Sequence, residues 1–93
     1  MPSSETTFET EKASRYLQQL CKHFGHKVEV EFTPEKGAVW FPCGEARFKA
    51  DTRRLCVTAS AETEAGLSKT KAILEDHILR FAFREKLDCL KWD

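Results

Sequence analysis

The sequence predicts an α+β fold: an antiparallel curved sheet covered on one face by two helices, in the order β-α-β-β-β-β-α with material for a last strand. Three observations predict it. Ala13, Tyr16, Leu17, Leu20, Cys21 and Phe24 recur at the spacing of a single buried helical stripe. Between His26 and Ser60, apolar and charged residues alternate in four short runs, the period of strands with one face buried. The links between those runs are too short for crossovers, so successive strands form an antiparallel meander.

The elements follow in order. Ser4 to Thr10 reads as a short strand with Thr6, Phe8 and Thr10 on one face. The first helix carries the Ala13-to-Phe24 stripe, with Thr10 as N-cap and Gly25 as the C′ residue past its end. His26, Val28, Val30 and Phe32 then form the apolar face of a strand whose other face is Lys27, Glu29 and Glu31. Thr33-Pro34-Glu35-Lys36-Gly37 has the composition of a reversing turn. Ala38 to Cys43 is nearly all apolar, and Pro42-Cys43-Gly44-Glu45 closes it. Ala46, Phe48 and Ala50 mark the inner face of the next strand, and Leu55, Val57 and Ala59 that of Arg54 to Ser60, across a turn at Asp51-Thr52-Arg53. The second helix spans Glu62 to Phe83. Its inner stripe is Leu67, Thr70, Leu74, His77, Ile78 and Phe81, widened by Ile73, and Lys71–Glu75 and Asp76–Arg80 are spaced as surface ion pairs. Gly66 either weakens its first turn or admits another backbone. Leu87 to Trp92 is the candidate last edge strand. The order resembles TATA-binding-protein-like and helix-grip architectures, a likeness that carries no function.

Ninety-three residues make one domain, residues 1–93, with one modest core. Fifteen basic residues balance fifteen acidic ones. This neutrality argues against a nucleic-acid partner and against electrostatic membrane attachment. No apolar run is long enough for a membrane span, and the N-terminus lacks a secretory pattern, so a cytoplasmic location is expected. Cys21, Cys43, Cys56 and Cys89 form no C-x-x-C pair and are read as reduced thiols.

The densest chemistry is Leu20-Cys21-Lys22-His23-Phe24-Gly25-His26-Lys27. Imidazole and thiolate bind zinc or iron, but helical phase puts Cys21 in the core and His23 at the stripe's edge, so a joint chelate would need the helix to unwind. His26 shares the parity of Val28 and Val30, and His77 lies on the inner stripe. The two are the candidate metal ligands, for iron or zinc, or a candidate acid–base pair. Beside that stands the plainer reading of two half-buried histidines bonded to carbonyls or carboxylates. Lys22, His23, His26, His77, Arg80 and Arg84 form the candidate site for a small anionic ligand, provided the two helix ends meet. Trp40 alternates against Val39 and Phe41. With Cys56 and Thr58 it would give the outer sheet face an apolar patch suited to a homodimer. Nucleophile elbows, zinc-protease helices, phosphate-cradling loops and dinucleotide fingerprints do not occur, which leans against an enzyme.

Ser14 to Lys27, Asp76 to Glu85 and the intervening Phe41-Pro42-Cys43-Gly44 together resemble a small bacterial domain of unknown function, family 2218, across nearly the whole chain. The motif positions fall on Arg15, Tyr16, Cys21, Lys22, His23, His26, Lys27, His77, Arg80, Phe81 and Arg84. The resemblance implies an accessory role around iron–siderophore handling, with a siderophore-interacting flavin reductase as partner. It implies no catalytic residue. Three readings follow: a non-enzymatic ligand-binding module, a small His-dependent or metal-dependent enzyme, and a homodimeric interaction module. An aldolase of the usual metal-dependent kind needs a barrel of roughly 250 residues and is excluded by length.

Overall fold

A computed structural model describes residues 2–81 together with Leu90 and Trp92. Strand β1 (Ser3–Glu9) leads to helix α1 (Ala13–Phe24), strands β2 (Glu29–Phe32), β3 (Lys36–Phe41), β4 (Gly44–Ala50) and β5 (Arg54–Ser60), and helix α2 (Glu64–Phe81). The sheet order is β1-β5-β4-β3-β2 and every pairing is antiparallel. The last four strands form the expected meander. β1 joins at the far edge, pairing Ser3 with Ser60 and Glu9 with Arg54, so α1 carries the chain from one edge of the sheet to the other.

The alternation decides which face is covered. Phe8, Val39, Ala46, Phe48, Leu55, Val57 and Ala59 point to one side and are buried with Leu17, Leu20, Leu74 and Ile78 of the helices. Removing each large aliphatic side chain from water contributes roughly 1.5–3 kcal/mol, which holds the helices on that face. The opposite face carries Glu5, Arg47, Lys49 and Arg54, all exposed. Among the described residues no helix is long and apolar enough to cross a membrane.

Turns are set by side chains that bond the backbone. The Thr33 hydroxyl accepts N–H bonds from Glu35 and Lys36 at 3.3 and 3.1 Å, closing the β2–β3 hairpin. One Asp51 carboxylate oxygen accepts those of Arg53 and Arg54 at 2.8 and 2.7 Å. These bonds hold the Asp51 carboxyl below its ordinary value. α2 starts at Thr63, whose hydroxyl takes the Gly66 N–H at 3.0 Å.

The helix ends differ from expectation. Thr10 is not the N-cap of α1. Lys12 occupies that position without a side-chain bond, while the Thr10 hydroxyl accepts the Lys12 N–H at 3.0 Å. Gly25 is right-handed, φ −60° and ψ −15°, so it supplies no left-handed stop. Its value is space: a Cβ there would sit 3.2 Å from both the Cys21 carbonyl oxygen and Val30 Cγ2. The chain keeps turning after the helix, with Lys27 and Val28 N–H groups both bonded to the Phe24 carbonyl at 3.0 and 2.9 Å. β2 therefore begins at Glu29, three residues later than the alternation predicts. The proposed last strand falls partly outside the described residues. Leu90 and Trp92 lie in no strand: Leu90 is buried with its N–H on the Glu75 carboxylate at 3.0 Å, and Trp92 lies under the Lys71 ammonium. Lys71 and Glu75 thus contact Trp92 and Leu90, while Asp76 and Arg80 form their expected pair at 3.4 Å.

Candidate functional site

α1 ends where α2 crosses it, above the end of β3. The aromatic rings at this crossing pack edge to face. Phe24 lies 5.0 Å from Phe41 and 4.9 Å from His77, and Phe81 lies 5.5 Å from His23, measured between ring centres. Within that frame two imidazoles meet. The rings of His23 and His77 are 5.0 Å apart and tilted by 46°. His77 is fixed from its own helix: its Nδ1 lies 2.7 Å from the Ile73 carbonyl oxygen. Because a carbonyl only accepts, Nδ1 carries a proton, and the lone pair of the unprotonated ring lies on Nε2.

His23 is exposed on one side and flanked by Phe24 and Phe81 on the other. Partial desolvation lowers its pKa, and the positive charges of His77, Lys27, His26 and Arg80 lower it further. The crossing therefore gathers Lys27, His26 and Arg80 around the two imidazoles.

This geometry corrects the expected pairing. His26 does not face the helices beside Val28 and Val30. It sits exposed in the turn after α1, because residues 25–28 still bond back to helix carbonyls and no strand exists there to give it an inward parity. The partner of His77 is His23, which helical phase had placed only at the stripe's edge. Arg80 joins the rim and is shared with Asp76. Lys22 lies elsewhere on α1, lining a shallow depression with Arg15, Gln18 and Gln19. Arg84 lies outside the described residues. Among those residues no group of three His, Cys, Asp or Glu side chains could hold a metal.

Cys21 is a core residue, and burial pushes its thiol up to about 11. Trp40 and Cys56 share the outer sheet face, as the alternation requires. However, the cross-strand registers place Trp40 between Glu29 and Glu45, and Cys56 beside Lys49. Charged side chains interrupt the expected apolar patch.

One feature escaped the sequence reading. An open groove of about 660 Å³ runs between the β3–β4 hairpin and the start of α2, lined by Trp40, Cys43, Glu45, Thr63, Gly66 and Lys69. Two glycines make it. A Cβ on Gly66 would lie 2.6 Å from the Cys43 carbonyl oxygen, and one on Gly44 would lie 2.5 Å from both the Ser60 carbonyl oxygen and Thr70 Oγ1. Thr70 is fully buried, its hydroxyl donating to the Gly66 carbonyl at 2.8 Å and lying 3.3 Å from Cys43 Sγ. The Phe41-Pro42-Cys43-Gly44 motif and Gly66 are the signal that marked this contact.

The fold is shared. The NMR structure of PA4090 from Pseudomonas aeruginosa is similar to this chain with a TM-score of 0.83 and 34% identity, covering 100% of this chain and 96% of that one. No curated protein matches the chain. Residues 5–93 match the family described as uncharacterized proteins conserved in bacteria, DUF2218. A match over nearly the whole length establishes that the chain belongs to the DUF2218 family.

Proposed function

We propose that the protein is a non-enzymatic binding module for a small anionic ligand, held where α1 meets α2. The observation that carries this reading is the cationic rim. Lys27, His26 and Arg80 all act on His23, while Phe24, Phe41 and Phe81 supply a partly apolar wall. Charge-assisted bonds from the rim would fix carboxylate or similar oxygens, and the rings would pack against the ligand's body. A bound anion would also relieve the mutual repulsion of the rim. Polydentate oxygen-rich chelators are the ligand class that suits such a surface. Iron–siderophore handling beside a flavin reductase, the setting implied by the family resemblance, would use it in the cytoplasm.

Calorimetry with metal-free chelators, ferric siderophores and simple ferric chelates tests the proposal. Saturable binding that weakens with salt and is reduced in Arg80→Ala and Lys27→Ala supports it. A folded protein that binds none of these ligands removes it. The paired imidazoles also suit a second reading, acid–base work on the bound anion, since His23 is held neutral near pH 7. Turnover of a bound ligand that is lost in His77→Gln while affinity persists would select that reading.

A further inference from the structure

We propose that His23 and His77 form a two-imidazole site for a late first-row divalent metal, zinc or copper. The spacing supports this directly. An imidazole nitrogen ~2.0–2.1 Å from zinc puts the ring centre roughly 3.2 Å from the ion. Two rings on one ion then have centres about 4.5 Å apart at a right angle and about 5.2 Å apart at the tetrahedral angle. The observed separation is 5.0 Å, between those two values.

The second support is the hydrogen bond behind His77. Metal-binding histidines commonly donate the N–H of the other ring nitrogen to a carbonyl or carboxylate, which orients the ring and raises its basicity. His77 does so at 2.7 Å to Ile73, leaving Nε2 as the donor atom. Each ring comes from a different helix, and Phe24 lies against both.

The charges around the site shape what it takes. Lys27 and His26 from the turn and Arg80 from α2 oppose a cation, with Asp76 paired to Arg80 at 3.4 Å. The same field opposes the proton that competes for these nitrogens. His23 lies in the last turn of α1, whose negative dipole end offsets part of the repulsion. Two imidazole nitrogens favour the metals that bind imidazole best, and they leave open positions for water or an anion. This inference goes beyond anion binding and does not require it. The metal alone tests the one, and metal-free chelators test the other.

Zinc or copper is titrated by calorimetry into tag-free protein, with copper also followed by nitrogen hyperfine structure in its electron paramagnetic resonance spectrum. One ion per chain with two nitrogen ligands is expected. His23→Ala and His77→Ala should each weaken binding by roughly 100-fold or more, beyond what loss of an outer-shell partner costs. His26→Ala should still bind the metal, at least as tightly as the wild type, because it removes one of the charges that oppose the cation. Imidazole ¹⁵N shifts of the wild-type protein give a readout that needs no variant: zinc must move Nε2 of His77 and a ring nitrogen of His23. No saturable binding by the folded wild type, unchanged His23 and His77 resonances, or loss of binding in His26→Ala alone would overturn the assignment.

Discussion

Replacing Gly66 with alanine sets two effects of opposite sign against each other. Gly66 lies in the first turn of α2, where alanine is the better helix former by about 1 kcal/mol. Propensity alone therefore predicts a more stable protein. The new Cβ, however, would lie 2.6 Å from the Cys43 carbonyl oxygen, with Thr63 Oγ1 at 3.2 Å and Ala61 Cβ at 3.3 Å. The nearest atom is backbone, so no rotamer change relieves it. The β3–β4 hairpin must retreat by most of an ångström, straining the Cys43–Thr70 contact. Overpacking of this kind costs about 1–3 kcal/mol, and a backbone collision belongs at the upper end. The net expectation is a loss of about 2 kcal/mol, which for a domain of this size is a fall of roughly 10 °C in Tm. Circular dichroism against temperature and urea measures it. Gly25→Ala is the comparison: its nearest contacts are 3.2 Å and its φ of −60° suits alanine, so its Tm should move far less. A Gly66→Ala protein as stable as the wild type, or more so, would refute the claim that this glycine exists for the hairpin.

Thr63→Ala removes the hydroxyl that caps Gly66 N–H and should cost about 1 kcal/mol, read as a lower urea midpoint at unchanged slope. His23 should titrate below the ordinary 6.5 in metal-free protein by ¹H–¹⁵N NMR, and Lys27→Ala should move its midpoint upward. The folded value is the lower one, so the unfolded chain binds the proton first. Stability from this group is then complete above pH 6.5 and falls as the pH drops from there to the folded midpoint. Cys21, buried with a thiol near 11, should resist an exposed-thiol reagent that labels Cys43 and Cys56, and it should react only on unfolding. Leu74→Ala, emptying a fully buried position between α2 and the sheet, should cost about 2–5 kcal/mol in the same melts.

The parts of the fold that the sequence made legible are those where burial alone sets the pattern. Ala46, Phe48 and Ala50, then Leu55, Val57 and Ala59, sit on the core face as their alternation requires, and the six-residue stripe of α1 is buried in full. His26 misled because its alternation with Val28 and Val30 continues through a turn whose hydrogen bonds run back to the helix. Periodicity cannot separate a strand's first residue from a helix's trailing turn. The pairing of His23 with His77 depends on where two helices cross, a property of packing across fifty-four residues of chain that no local pattern encodes. The hairpin dock is partly legible, since Gly66 reads as either a weak turn or an approach point, and the space around it selects the approach.

The path of α1 across the sheet has a consequence for the order of assembly. The β2-to-β5 meander closes through neighbours in sequence, whereas β1 must wait for a partner as remote as Ser60, which pairs with Ser3. Contacts of such long separation incur the chain's closure entropy before they return any stability. β1 is therefore expected to dock last, with φ-values near zero at Phe8 and higher values at Phe48 and Val57. During synthesis β1 would leave the ribosome before the other four strands of its sheet and be the last of them to find its place. Until the fifth strand emerges, residues 3–9 would remain an unpaired edge whose Glu5 and Glu9 discourage premature association.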